Sequence, residues 1–314
     1  MHVVFLGTPA FACTVLDALH EAEDVDIALV VSQPDRPRSR GRVTPTPVKE
    51  RAQALGYSVI TPPSVNAPDV VAQIEACAPD FLIVVAFGQL IGRHLLEAFP
   101  GRILNVHASL LPAYRGAAPI ERALMSGADE TGVSIMRIVR ALDAGDVLAA
   151  DAVPMDDNTT LDALQESMAK CGATLLLDTL RHFPARDAAR VAQDDAKATY
   201  AEKLTSADSP LDWTRPARLL VRQVHALADG PGAKTRRGED VLRIHEAHAE
   251  ADGENARPGT VVRADKNGIA VATGDGLLVI DRLQAPNRKA LAARDFLNGD
   301  PIRVGECLSV EGRP

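Results

Sequence analysis

The chain has 314 residues, of which 46% are hydrophobic and 24% are charged, and its formal net charge is −8. This length exceeds what one hydrophobic core usually fills, so we expect two domains. The composition is that of a soluble globular protein, and no apolar stretch is long enough for a membrane span.

The amino terminus lacks the basic flank and the long apolar run of a signal peptide. The four cysteines lie far apart, at spacings that fit neither a zinc site nor a disulfide framework. We therefore expect a cytoplasmic protein without a structural metal.

Short β-branched runs alternate with helical patterns in the first part of the chain. The predicted strands are Val3–Leu6, Ile27–Val31, Ser58–Ile60, Phe81–Ala86 and Ile103–His107. The predicted helices between them are Ala10–His20, Val48–Leu55, Pro68–Ala78 and Gly92–Phe99. Because apolar strands that alternate with helices indicate a parallel sheet covered on both faces, we predict a Rossmann-like, doubly wound α/β domain. Two added strands (131–138 and 146–153) and a long helix (160–182) complete it.

The pattern changes after about residue 184. Residues 185–207 are polar and lack a clear apolar period, which predicts a linker. The short strands predicted beyond it are Val241–Ile244, Gly259–Arg263, Ile269–Thr273 and Leu277–Ile280. Short strands with tight glycine turns predict a smaller, OB-like β-barrel domain. We therefore divide the chain into a catalytic domain (1–184), the linker (185–207) and a C-terminal domain (208–314).

Charge is unevenly distributed. Residues 1–207 carry the whole net charge of −8, yet the run from Arg36 to Arg51 holds six basic residues and one acid. Local basic patches decide whether phosphates can dock, although a solvated basic loop is the simpler alternative.

The first turn after a strand, Gly7-Thr8-Pro9, is not the GxGxxG of dinucleotide-binding proteins, which disfavours a nicotinamide enzyme. Ligands of open parallel sheets bind beyond the carboxyl ends of the strands. There Asn105 and His107 lie two residues apart and share a face. An amide that holds an oxyanion beside an imidazole that moves protons suits acyl transfer, whereas a histidine that caps the strand is the alternative.

A second candidate is the turn Leu142-Asp143-Ala144-Gly145-Asp146. A carboxylate near His107 would fix its tautomer and stabilise its charged form. The alternative is an ordinary turn in which the aspartate bonds its own main chain.

Several longer runs resemble the methionyl-tRNA formyltransferase family. They are FLGTPAFA (5–12), NVHASLLPAYRGAAPIERAL (105–124), ETGVSIM (130–136), LDAGDVL (142–148), TYAEKL (199–204) and VATGDGLL (271–278). The resemblance implies transfer of a formyl group from 10-formyltetrahydrofolate to the amine of initiator methionyl-tRNA. It implies Asn105, His107 and Asp143 as the catalytic residues, with no metal.

The resemblance also implies binding residues. For the folate they are Ser109, Leu110, Leu111, Pro112, Phe87, Gly88 and Leu90, and for the tRNA they are Arg36, Arg38, Arg40 and Arg42. Arg40 aligns with the arginine that the family inserts beside the acceptor stem, and Arg38 is the alternative if the register shifts. The basic loop here is one residue shorter than is usual in the family and lacks its lysine pair.

Three other functions are compatible with parts of this pattern. A sugar formyltransferase shares the Asn/His/Asp trio but does not need the linker and barrel. An RNA-binding module with a decayed enzyme site would not keep the intact trio. A nucleotide-dependent reductase lacks its glycine fingerprint here.

Overall fold

The computed structural model describes residues 1–37, 43–251 and 256–309. The chain forms two compact units, each drawn from three stretches. The first unit comprises residues 1–116, 130–154 and 165–200. The second comprises residues 117–129 and 155–164 and the described residues from Ala201 onward. The domain and linker boundaries expected from the sequence stay a prediction.

The elements up to residue 201 are strands and helices in near alternation. The strands are β1 (His2–Gly7), β2 (Asp26–Val31), β3 (Arg36–Pro37), β4 (Val43–Thr44), β5 (Val59–Ile60), β6 (Phe81–Val85), β7 (Ile103–His107), β8 (Arg115–Gly116), β9 (Glu130–Arg137), β10 (Val147–Pro154) and β11 (Tyr200–Ala201). The helices are α1 (Ala10–Glu21), α2 (Pro47–Ala54), α3 (Pro68–Ala76), α4 (Arg93–Ala98), α5 (Pro119–Ser126), α6 (Leu161–Arg181) and α7 (Phe183–Ala188).

Seven of these strands form one sheet in the first unit, in the order β10-β9-β7-β6-β1-β2-β5. The five from β7 to β5 are parallel, and β9 and β10 add to the β7 edge in antiparallel orientation. All five side chains of β6 are buried, as expected for a sheet covered on both faces. The predicted doubly wound, Rossmann-like fold is confirmed. Its strand order reverses direction between β1 and β6, which is where such folds bind ligands.

Local sequence explains how these helices begin. Helix α2 starts after Thr46, whose hydroxyl accepts a hydrogen bond from the Lys49 main-chain N–H over 3.2 Å, and Pro47 occupies its first turn. Proline also opens α3 and α5. Helix α5 was not among the elements predicted from the sequence.

The second unit contains an antiparallel sheet, together with helix α5 and two later helices. Its later elements are α8 (Ala217–Ala226), β12 (Ala233–Arg237), β13 (Asp240–Glu250), β14 (Val261–Asp265), β15 (Gly268–Ala272), β16 (Leu277–Gln284), β17 (Leu291–Ala292) and α9 (Ala293–Gly299). The strand order is β12-β13-β16-β15-β14, and β17 pairs with β16. Leu220, Val221 and Val224 of α8 are buried in the core of this unit.

The predicted C-terminal β domain is confirmed as an antiparallel sheet, but the described residues do not show the closed barrel. Residues 307–309 nevertheless bond to both edges. Ser309 exchanges two main-chain hydrogen bonds with Arg236 of β12, and Leu308 donates to the Gly259 carbonyl just before β14. Edge strands are thereby supplied with partners. Within the described ranges, no helix has the length and hydropathy to cross a membrane.

Candidate active site

The candidate site of the first unit lies where β6 and β7 end, beside the point at which the strand order reverses. These neighbouring strands are parallel, with Val84 opposite Asn105 and Val85 opposite Val106. The segments that follow them, residues 86–91 and 108–112, therefore leave the sheet at the same edge. Both segments were predicted from the sequence to bind a ligand.

His107 ends β7 with 5% of its surface exposed. Its Nε2 lies 3.1 Å from the main-chain oxygen of Tyr114. Because a carbonyl oxygen can only accept, Nε2 carries the proton in the neutral ring, and Nδ1 holds a lone pair. Asn105 is partly buried on the same face of the strand, and its side-chain amide makes no hydrogen bond to the residues described.

Asp143 lies in the turn before β10 with a left-handed backbone, at φ 47°. Its carboxylate Oδ2 accepts a hydrogen bond from the Gly116 N–H over 2.8 Å and lies 3.8 Å from His107 Nδ1. The structure thus brings together the carboxylate and the imidazole that the sequence placed in separate motifs. The second acid of this turn, Asp146, accepts instead from Arg190 Nε at 2.9 Å.

Two opposing effects set the protonation of His107. Burial lowers the pKa of the imidazole, while the Asp143 carboxylate and the Tyr114 carbonyl raise it. Burial is the larger effect, so the ring is neutral at pH 7. A neutral imidazole with a lone pair on Nδ1 can take a proton, and Asp143 then stabilises the imidazolium.

The turn after β7 is fixed by hydroxyl groups. Ser109 Oγ donates to the Ala113 carbonyl over 2.5 Å. Ser134, buried on β9, donates to the Ser109 carbonyl at 2.7 Å and accepts from the Leu111 N–H at 3.1 Å. Leu110, Leu111 and Pro112 are partly exposed. The turn is therefore held in one shape while its apolar side chains stay accessible.

The loop after β6 is held by side chains from two other segments of the chain. The Phe87 carbonyl accepts from Thr8 Oγ1 at 2.8 Å and from Gln33 Nε2 at 2.9 Å. Gly88 has a φ of 79°, and a β-carbon there would lie 2.3 Å from Gln33 Nε2. Leu90 leaves 79% of its surface exposed. An exposed apolar side chain on a rigid loop suits a flat, largely apolar ligand.

Few of the predicted tRNA-binding residues can be placed. The main chain of Arg36 pairs with Thr44 across β3 and β4. Arg38, Arg40 and Arg42 lie outside the described residues. The part of the chain that the structure describes holds no cluster of three His, Cys, Asp or Glu side chains that could bind a metal.

The groups that hold the site in shape were not predicted from the sequence. Ser134 lies within a run that resembles the family, but its two bonds are to main-chain atoms. Gln193 lies in the predicted linker, and its amide donates to the carbonyl oxygens of Asp143 and Gly145 at 2.8 and 2.7 Å. Bonds from a side chain to a distant main chain have no short sequence pattern that could reveal them.

Two family models match the chain. The Formyl transferase model matches residues 1–180, and the model of the formyl transferase C-terminal domain matches residues 203–301. The curated relatives include the methionyl-tRNA formyltransferase of Symbiobacterium thermophilum, 43% identical over 317 residues, which covers 100% of this chain and 97% of the relative. That of Halorhodospira halophila is 44% identical and covers 97% of this chain and 98% of the relative.

Solved structures share the fold. The sugar 3N-formyl transferase WlaRD superposes with a TM-score of 0.64 at 17% identity, over 92% of this chain and 99% of that one. HypX from Aquifex aeolicus in complex with tetrahydrofolic acid superposes with a TM-score of 0.59 at 19% identity, over 99% of this chain and 50% of that one. At these identities the likeness concerns the fold alone.

Proposed function

The chain belongs to the methionyl-tRNA formyltransferase family, and from this premise we propose that Asn105, His107 and Asp143 carry out its chemistry. The enzyme transfers the formyl group of 10-formyltetrahydrofolate to the free amino group of methionyl-tRNA and produces N-formylmethionyl-tRNA for translation initiation. The observation that carries the residue assignment is the approach of Asp143 to His107 at the end of β7, beside Asn105, whose amide has no hydrogen-bond partner among the described residues.

The reaction begins with attack of the methionyl amine on the formyl carbon. A new C–N bond forms, and the carbonyl π electrons move onto the formyl oxygen. The Asn105 side-chain amide donates to this oxyanion, and one such donor is worth about 3–4 kcal/mol in the transition state. Because the amide has no hydrogen-bond partner among the described residues, it is available for the oxyanion.

His107 then moves the proton. The attacking nitrogen gives its proton to Nδ1, the ring nitrogen that does not face Tyr114. The imidazolium so formed bonds to the Tyr114 carbonyl through Nε2 and is stabilised by the Asp143 carboxylate. As the bond to the folate N10 breaks, the imidazolium returns the proton to that nitrogen, which leaves as tetrahydrofolate.

We assign the folate to the two loops at this edge. The turn Ser109–Pro112 and the residues Phe87, Gly88 and Leu90 border the site on neighbouring strand ends. Their fixed main chains and the exposed Leu90 side chain fit a flat pteridine ring with an apolar tail.

We further propose how the tRNA is held. Arg36, Arg38, Arg40 and Arg42 would contact acceptor-stem phosphates, and residues 208–314 would form the domain that positions the tRNA. Residues 1–184 would then form the catalytic domain, with 185–207 as the linker. A cytoplasmic location follows from the role of the family in translation.

A discharge assay tests the proposed function. The protein is incubated with 10-formyltetrahydrofolate and, in parallel, with methionyl initiator tRNA, methionyl elongator tRNA, free methionine or a nucleotide-linked amino sugar. We expect formylation of the methionyl initiator tRNA in preference to the other three acceptors. Formylation of the amino sugar alone would overturn the proposal in favour of the sugar formyltransferases that share the fold.

A further inference from the structure

Gln193 bonds to the main chain of the turn that carries Asp143. The two hydrogens of its amide go to two different carbonyl oxygens, those of Asp143 and Gly145, at 2.8 and 2.7 Å. Both ends of the short segment 143–145 are therefore attached to one side chain.

The orientation of the Gln193 amide is itself determined. Arg115 Nε donates to Gln193 Oε1 over 3.0 Å, which directs Nε2 towards the two carbonyls. The Arg115 side chain is only 3% exposed, and its Nη2 bonds Asp195 at 2.8 Å. An arginine this deeply buried has little freedom to move.

These contacts form a closed cycle of bonds in which Asp143 takes part. Arg115 is covalently followed by Gly116, whose N–H donates to the Asp143 carboxylate. The same two-residue strand thus holds Asp143 directly at its carboxylate and, through Gln193, at its carbonyl. A turn that places a non-glycine residue at φ 47° needs such support, because this conformation is unfavourable for side chains with a β-carbon.

We propose that Gln193, oriented by Arg115, is a positioning residue that holds the Asp143 carboxylate against His107. It touches neither substrate, and it acts only through the shape of the 143–145 turn. This assignment rests on the function proposed above, since it gives Gln193 a role in the same reaction.

The second unit offers a matched control. Gln223 also donates through Nε2 to two main-chain carbonyls, those of Asp208 and Pro210, at 2.8 and 3.0 Å. Its Oε1 also faces an arginine, Arg215, at 3.4 Å. Replacement of either glutamine by methionine removes the same kind of contacts, but only one of them concerns Asp143.

The experiment compares full-length Gln193→Met and Gln223→Met with the unaltered enzyme. We measure kcat, KM for both substrates, thermal stability and the titration of the His107 imidazole by NMR. Both variants should lose stability. Only Gln193→Met should lose kcat, by about tenfold or more, because a small misplacement of a catalytic group is costly. Its His107 should titrate at lower pH, since the Asp143 carboxylate that raises the pKa has moved away.

The outcomes are distinguishable. If the unaltered enzyme does not formylate methionyl-tRNA, the proposed function fails whatever the variants do. If it does, and Gln193→Met matches Gln223→Met in both kcat and the His107 titration, the positioning role is wrong. A lower kcat with an unchanged titration also overturns it. Should Gln193→Met not fold, Gln193→Asn, which keeps the amide but is too short to bridge both carbonyls, must show the same loss of kcat.

Discussion

The main-chain N–H of Gly116 donates to the carboxylate of Asp143 across 27 positions of sequence, and the two groups are 2.8 Å apart. This bond points one carboxylate oxygen towards His107 Nδ1. A neutral amide at position 143 could still accept the bond through its oxygen. The charge of Asp143 can therefore be tested separately from its shape.

We expect Asp143→Asn to lower kcat far more than Asp146→Asn. The amide at 143 keeps the bond to Gly116 but no longer stabilises the imidazolium, whereas the Asp146 carboxylate bonds Arg190 at the surface. Steady-state kinetics with methionyl-tRNA make the comparison. The reverse order would mean that the catalytic carboxylate of the turn has been misassigned.

His107→Ala and Asn105→Ala should each lower kcat by at least about a hundredfold, as expected for loss of an acid–base group or an oxyanion donor. Folate affinity should change little. His2→Ala is the control, because His2 also faces an aspartate, at 2.9 Å from Asp26, but is 60% exposed. Near-normal turnover in either active-site variant would remove that residue from the mechanism.

The pH dependence follows from the burial of His107. Its pKa is lowered below the ordinary value of about 6.5, so the imidazole of the free enzyme should titrate, as followed by NMR, at a pH under 6.5. In Asp143→Asn this titration should move to still lower pH, because the charge that raises the pKa is gone. A His107 titration above pH 7 would contradict the neutral resting state.

The same shift affects stability. The unfolded chain protonates this histidine near pH 6.5, whereas the folded protein resists protonation. The free energy of unfolding should therefore decrease as the pH falls from about 6.5 towards the folded pKa. His107→Gln should lack this part of the pH dependence in urea denaturation.

Gly88→Ala should weaken folate binding. Alanine at this φ costs about 1–2 kcal/mol, and its β-carbon would also displace the Gln33 amide that holds the Phe87 carbonyl. Gly56→Ala is the control, since Gly56 has a similar φ of 86° with open space around it. Both variants should lose stability in thermal unfolding, and only Gly88→Ala should raise KM for the folate. Equal KM values for the folate in the two variants would contradict the assignment of this loop to the folate site.

Arg40→Ala should weaken use of methionyl-tRNA while folate binding stays intact. Loss of one phosphate contact reduces the slope of log affinity against log salt by about 0.7–0.9. Arg93→Ala serves as the comparison, because Arg93 is an exposed arginine paired with Glu97 on α4. If Arg40→Ala leaves the salt dependence of tRNA affinity unchanged, Arg40 does not contact a phosphate. The positioning of the tRNA would then be assigned to the C-terminal domain.

The sequence predicts those parts of the fold in which burial and composition agree. Strand β6 is wholly apolar and wholly buried, so its pattern alone reveals it. Helix α8 was missed although Leu220, Val221 and Val224 follow the spacing of an amphipathic helix. What that spacing does not indicate is that Arg222 and Gln223 are buried as well. Arg222 is satisfied by the Ala128 carbonyl at 2.6 Å, a partner 94 residues away that no local pattern could indicate.

The candidate site likewise has some features that the sequence predicts and others that it does not. Asn105 and His107 could be paired from their spacing on one strand, and Asp143 from its turn together with a family resemblance. The bonds of Gly116 and Gln193 to Asp143 could not, because they depend on main-chain positions that only the folded topology brings together.

The three-stretch origin of the second unit affects the order in which it is made. Helix α5 packs against α8, which follows about ninety residues later in the chain. At a translation rate of about 5–20 residues per second, Ile120 and Leu124 are synthesised about 5–20 seconds before their partners in α8. During that interval the apolar face of α5 in the nascent chain has no α8 to pack against. We therefore expect chaperones to contact this helix during synthesis.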